Sequence, residues 1–178
     1  VTRILVLYYS QTGQLTRAVR SMLGPLAGRA DVEIVWQNLE PVEPFPFPWG
    51  FFRFFDTFPE CVHLDPPPIR PVSFGKDARF DLVVLAYQVW FLSPSLPVTA
   101  FLKSEAATVL KDTQVITFIA CRNMWLSAQE KMKTMLREIG ARHIDNVVLV
   151  DQGPPWATFV TTPRWVLTGK KDGFWGIF

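Results

Sequence analysis

Ile4-Leu5-Val6-Leu7-Tyr8-Tyr9-Ser10-Gln11-Thr12-Gly13, followed by Gln14-Leu15-Thr16, decides the fold. The unbroken apolar run from Ile4 to Tyr9 suits a strand covered on both faces, as in a parallel sheet. From Leu15 the period changes. Leu15, Ala18, Val19, Met22 and Leu26 recur at helical spacing, and Gly24-Pro25 ends that helix. Between strand and helix lies a turn with two hydroxyls and a glycine. The first turn of a helix presents unpaired N–H groups and the positive end of the helix dipole, so such a turn can hold a phosphate. Gly13 allows close backbone approach, and Ser10 and Thr12 add donors. The chain is therefore expected to bind a phosphorylated cofactor here; the plainer alternative is an ordinary turn with an N-cap residue.

Leu82–Tyr87, Val115–Ala120 and Val147–Val150 are further short apolar runs rich in β-branched residues. Val32–Trp36 partly alternates, which suits an edge strand. Ala128, Met132, Met135, Leu136 and Ile139 form a second helical face, with Ser127 and Glu130 read as a capping box and Gly140 as its stop. Pro94 to Leu102 starts a third helix, with proline in its first turn. Strands alternating with helices give a doubly wound α/β parallel sheet. Right-handed crossovers favour the strand order 2-1-3-4-5, with the first strand at the switch point.

The 178 residues read as a single domain, 1–178. A net charge of +2 gives no sign of a nucleic-acid partner. No run approaches the roughly 18–20 apolar residues of a membrane span, and no signal-peptide pattern opens the chain. Cys61 and Cys121 form no CxxC pair, which suits a reducing, cytoplasmic setting. Two histidines, His63 and His143, make a histidine-based metal site unlikely to form, so no metal is expected. His63, beside Asp65, is the one acid–base candidate, against the commoner case of an exposed loop histidine; His143 begins the last strand and reads as structural.

Aromatic residues make up 14% of the chain, and many cluster with prolines in an insertion spanning about 41–79. Its irregular spacing and its prolines argue against a long helix there. A segment of this length is too long to be passive. Trp49, Phe51, Phe52 and Phe55 are read as lining a pocket for a small apolar or aromatic substrate. A homodimer or membrane-surface contact and a satellite core are the other readings. Residues 154–178 show no clear helical face. Either the chain is truncated or this segment covers the last strand irregularly.

Three motifs together resemble the flavodoxin-like superfamily over residues 3–40 and 80–153. They are Ile4 to Gly13; Gln88-Val89-Trp90-Phe91-Leu92-Ser93-Pro94 with Pro97 and Phe101-Leu102; and Ala120 to Trp125. The resemblance implies flavin mononucleotide (FMN) as cofactor. It implies that Ser10, Gln11, Thr12, Gly13, Gln14, Leu15 and Thr16 hold its phosphate. Tyr87, Gln88, Val89, Trp90 and Phe91 would meet the flavin ring, with Trp90 the stacking candidate. Cys121, Arg122, Asn123, Met124 and Trp125 would meet the flavin edge. Gln14 and Leu15 depart from the Asn and Thr common in flavodoxins, and Gln88 stands where many relatives have proline. The near-neutral charge, unlike the acidic electron carriers, points to an enzyme.

The segment Phe47-Pro48-Trp49 through Phe58-Pro59-Glu60-Cys61, with Asp65 to Pro68, Cys121 to Trp125 and Thr168 to Lys171, is similar to bacterial proteins labelled dialkylresorcinol condensing enzyme, a resemblance that covers nearly the whole chain. This resemblance implies an FMN-dependent oxidoreductase that aromatises a cyclic ketone. The alternatives are an NAD(P)H:quinone or flavin reductase, and a flavodoxin-fold binding module without flavin.

Overall fold

The computed structural model describes residues 1–75, 77–150 and 157–170. In chain order the elements are β1 (Thr2–Tyr8), α1 (Gln14–Leu23), β2 (Val32–Asn38), α2 (Phe51–His63), β3 (Leu82–Trp90), β4 (Ser93–Pro94), α3 (Leu96–Lys103), β5 (Gln114–Cys121), α4 (Leu126–Ile139), β6 (Arg142–Val150) and α5 (Ala157–Thr168). Short 3₁₀ turns follow α1 at Gly24–Leu26 and α3 at Glu105–Leu110.

The main sheet runs β2-β1-β3-β5-β6. Every pairing along it is parallel, from Thr2↔Val32 to Cys121↔Val150. With the two-residue β4 set aside, this is the expected order 2-1-3-4-5. Successive side chains of a strand alternate faces. Ile4, Val6, Val84, Ala86 and Phe118 therefore meet Leu15, Val19 and Leu23 of α1 on one side. Leu5, Leu7, Val83, Leu85, Tyr87 and Ile119 meet Phe101 of α3 and Met132 and Leu136 of α4 on the other. Burial on both faces explains why these strands read as continuous apolar runs.

Three expectations are corrected. The insertion holds a 13-residue helix, α2, with Pro59 inside it. A proline in a helix interior removes one hydrogen bond and crowds the preceding turn, at a cost of about 3 kcal/mol. Here Pro59 lies on the exposed side while Thr57 and Cys61 are fully buried, so tertiary packing outweighs the local penalty. Leu64 closes the helix at φ 53, its N–H donating to the Cys61 carbonyl while Asp65 N–H reaches that of Glu60.

The second correction concerns α4. Ser127 does not cap it. Trp125 is the N-cap residue and no side chain caps the end, because the helix starts at Leu126, before Ser127. Glu130 instead pairs with Lys133 at 2.8 Å. Gly140 does end the helix, at φ 83.

Third, the segment after Val150 is not without helix. Residues Ala157–Thr168 form α5, with Pro163 inside. Ile144 and Leu149 of β6 remain 52% and 47% exposed, so α5 does not shield this edge of the sheet. It turns instead to the carboxyl ends of the strands. The apolar end Phe174–Phe178 lies outside the described residues. Among the described residues no helix is long and apolar enough to cross a membrane.

Candidate functional site

A cavity of about 670 Å³ opens at the carboxyl ends of β1, β3, β5 and β6. This is where open α/β sheets bind ligands, beside the point at which strand order reverses. Gln11, Gln14 and Leu15 line it from the β1–α1 turn. Gln88, Val89, Trp90 and Phe91 line it from β3 and its hairpin; Ala120, Cys121 and Arg122 from the end of β5; Leu149 and Val150 from β6. Trp49 and Phe54 of the insertion and Thr161, Arg164, Trp165 and Val166 of α5, with Lys170, complete the wall.

The first turn has the geometry of an anion cradle. Gly13 stands at φ 74 as the N-cap of α1, a left-handed conformation that costs other residues about 1–2 kcal/mol. Ser10 Oγ accepts from the Thr16 N–H at 3.5 Å. Thr12 Oγ1 is buried and has no hydrogen-bond partner. A buried hydroxyl left unpaired is expensive, so a ligand oxygen at this point would satisfy it. Thr12 and Gly13 themselves fall just outside the cavity lining. Sequence reasoning missed Arg17. A Cβ placed on Gly13 would lie 3.3 Å from its guanidinium, so this cation folds back beside the turn. The signal was available: a helical side chain covers the turn before its own Cα, and Arg17 is four residues on.

Gln11 joins the turn to the insertion. Its side-chain amide donates to the Pro46 carbonyl at 2.9 Å and accepts from the Trp49 indole N–H at 3.0 Å. Its backbone N–H points at Gln88 Oε1, 3.4 Å away. Trp49 is thereby fixed as one wall, stacked on Phe45 at 5.5 Å and edge-on to Trp90 at 5.4 Å. Trp90 also meets Tyr9 at 5.7 Å and Phe45 at 5.0 Å. It is both a member of this cluster and a cavity residue.

Past Trp90 the chain folds back into β4, with Trp90 paired to Ser93. The two turn residues, Phe91 and Leu92, take φ 46 and φ 60. Tight hairpins need positive φ at both central positions and favour Asn and Gly there. Two bulky residues in that role carry strain, which observed at a cavity wall points to a use for the side chain. Phe91 places its ring 4.9 Å from Phe54 and 5.2 Å from Phe58.

Several expected residues lie elsewhere. Tyr87 is fully buried on the α4 side, where its hydroxyl donates to Gln129 Oε1 at 2.7 Å. It does not line the cavity, and burial raises its pKa. Phe51, Phe52 and Phe55 face solvent, and Phe54 takes the lining place assigned to them. Asn123, Met124 and Trp125 do not line the cavity; Met124 is 52% exposed at φ 57. His63 sits exposed at the far end of α2, away from the wall. His143 meets Thr117 Oγ1 at 2.9 Å, and burial lowers its pKa.

Burial pushes the Cys121 thiol up to about 11, so it is held protonated at neutral pH. Arg122 donates to Thr161 of α5. Arg164 and Lys170 line the same wall. Among the described residues no group of three or more His, Cys, Asp or Glu could hold a metal ion.

No family model and no curated protein matches the chain. Solved structures do. A flavoprotein from Lactobacillus acidophilus NCFM in complex with FMN aligns at TM-score 0.64 and 17% identity, over 83% of this chain and 93% of that one. A candidate flavoprotein from Bacteroides eggerthii DSM 20697 aligns at TM-score 0.65 and 14% identity, over 96% and 100%. A WrbA-like flavodoxin from Agrobacterium tumefaciens aligns at 0.53 and 8%, over 94% of each chain. The architecture shared with these chains and the strand order together make the fold flavodoxin-like.

Proposed function

We propose that this chain binds FMN at the carboxyl ends of its strands and acts as a flavin-dependent oxidoreductase on a small apolar or aromatic substrate. The observation that carries the reading is the first turn: a buried, unpartnered Thr12 hydroxyl beside the amino end of α1, with Gly13 left-handed and Arg17 alongside. These groups fit a phosphate monoester. Flavin, when bound, supplies the two-electron redox chemistry. The protein's part is placement. Ser10 orders the first turn by accepting from Thr16, Thr12 and the α1 N–H groups hold the phosphate, and Gln11 fixes Trp49. Trp90 and Phe91 present aromatic surface to a ring, and Arg122, held by Thr161 of α5, lines the opposite wall. Cys121, kept as a thiol by burial, packs there without acting as a nucleophile.

Titration of the purified chain with FMN, followed by flavin fluorescence and by thermal unfolding, tests this reading. Quenching with a rise in melting temperature is expected. Unchanged emission and an unchanged transition would leave a flavodoxin fold without flavin.

A narrower reading, oxidation of a cyclic ketone to an alkylated resorcinol, rests on sequence similarity, supported by the aromatic wall of Trp49, Phe54, Trp90 and Phe91. An aromatic product from a cyclohexanedione precursor would support it. Turnover confined to NAD(P)H and quinones would assign the chain to quinone reduction instead.

A further inference from the structure

The helix of the insertion has one face that the fold does not use. On a helix turning about 100° per residue, Phe58, Phe51, Val62, Phe55, Pro59 and Phe52 share an arc of about 120°. Phe52 is 81% exposed, Phe51 60%, Phe55 52%, Phe58 49% and Val62 40%. No charge interrupts the arc. Asp56 lies on its flank; Glu60 and Arg53, paired at 3.3 Å, stand further round the helix. Thr57 and Cys61 anchor the opposite side in the core. Most large apolar side chains exposed on a protein stand singly, whereas a continuous ridge marks an interaction surface.

The ridge runs into the cavity wall. Phe55 meets Phe54 at 5.3 Å, Phe54 meets Phe91 at 4.9 Å, and Phe58 meets Phe91 at 5.2 Å; Phe54 and Phe91 both line the cavity. Leu92, 43% exposed, extends the apolar surface beyond Phe91. A cation flanks its start. Gly169 packs against Pro48, just before α2, with a Cβ position 3.6 Å from Pro48 Cγ; the next residue is Lys170, at the cavity rim.

We propose that α2 is an interfacial helix that docks the chain on an anionic lipid surface, and that the cavity takes an apolar, ring-bearing substrate partitioned in that lipid. A helix with a phenylalanine face and a neighbouring lysine is suited to lie in the headgroup boundary. At 13 residues it lies on the surface and does not span it. Continuity with the cavity favours lipid over a second copy of this chain. A rigid partner on the ridge would cover the wall formed by Phe54 and Phe91, while a fluid acyl phase delivers apolar solutes along it. The substrate half of the proposal rests on the redox reading; the docking half does not.

The test is co-sedimentation of the full chain, with and without FMN, with vesicles of phosphatidylcholine alone or mixed with phosphatidylglycerol. Binding to the mixed vesicles is expected, weakening with salt. The F52S/F55S double variant should bind them about a hundredfold more weakly, with unchanged circular dichroism and unchanged FMN affinity, since both side chains are exposed and outside the cavity. Absent vesicle binding by the unsubstituted chain, or equal binding by the variant, overturns docking. Equal binding to both vesicle types overturns the anionic preference. A dimer in sedimentation velocity that F52S/F55S dissolves, without vesicle binding, assigns the ridge to self-association. Loss of FMN binding with vesicle binding intact overturns the redox reading alone.

Discussion

Thr12 is where the cost of function is most local. Its hydroxyl is buried without a partner, a penalty of about 1–3 kcal/mol in the ligand-free protein. Thr12→Val keeps the shape and removes the penalty. The variant should match or exceed the parent in urea-induced unfolding, while its FMN affinity falls about tenfold to a hundredfold; a loss of stability without loss of affinity would make Thr12 a packing residue. The turn was legible because strand, hydroxyls, glycine and helix are contiguous. The partners of Gln11 were not, because Pro46 and Trp49 lie 35 and 38 residues away and no local period encodes such a contact. Tyr87 was misplaced for a related reason. In a strand buried on both faces every residue is apolar, so the pattern does not say which face each one takes.

At the scale of elements, the β3–β4 hairpin stores strain that can be released. Leu92 adopts φ 60 and is 43% exposed, so Leu92→Gly should stabilise the fold by about 1 kcal/mol, read as a higher urea midpoint with an unchanged slope. Phe91→Gly relieves the same backbone but forfeits the rings of Phe54 and Phe58, and should gain less. The main-sheet strands, α1 and α4 followed from their apolar patterns and α3 from its prolines, boundaries aside. The helices α2 and α5 did not, since Pro59 and Pro163 break the local signal. What decides these two is burial of Thr57, Cys61 and Thr161 against distant residues, and local propensity carries no trace of it.

For the molecule as a whole, pH is the most direct probe. Burial pushes Cys121 up to about 11, and Cys61 and Tyr9 up to about 12. Below the thiol's ordinary value of about 8.5 these groups are neutral in both folded and unfolded chains, and their contribution to stability is complete. Above it the unfolded chain releases protons that the folded chain retains, so stability falls as pH rises toward 11–12. Urea midpoints should decline between neutral and alkaline pH, and Cys61→Ala should start lower but decline less steeply. The strand order was legible at this scale because alternating elements and right-handed crossovers leave few arrangements. The seat of α5 was not, because a helix after the last strand would ordinarily be assigned to the open face of the sheet.

That seat separates two ranges of motion. The ties of helix α5 to the rest include the Val166 carbonyl, which accepts from Trp49 N–H at 2.8 Å, Thr161 on Arg122, Trp165 against Phe47 at 5.1 Å, and Val166 and Leu167 packed on the core. None of these ties is a rung of the sheet. The amides of α5, which add no rung to the sheet, should exchange with deuterium at a lower opening free energy than those of Val83 to Tyr87. Filling the cavity should slow exchange in α5 and leave the strands unchanged, so that hydrogen exchange along one helix reports occupancy of the whole site.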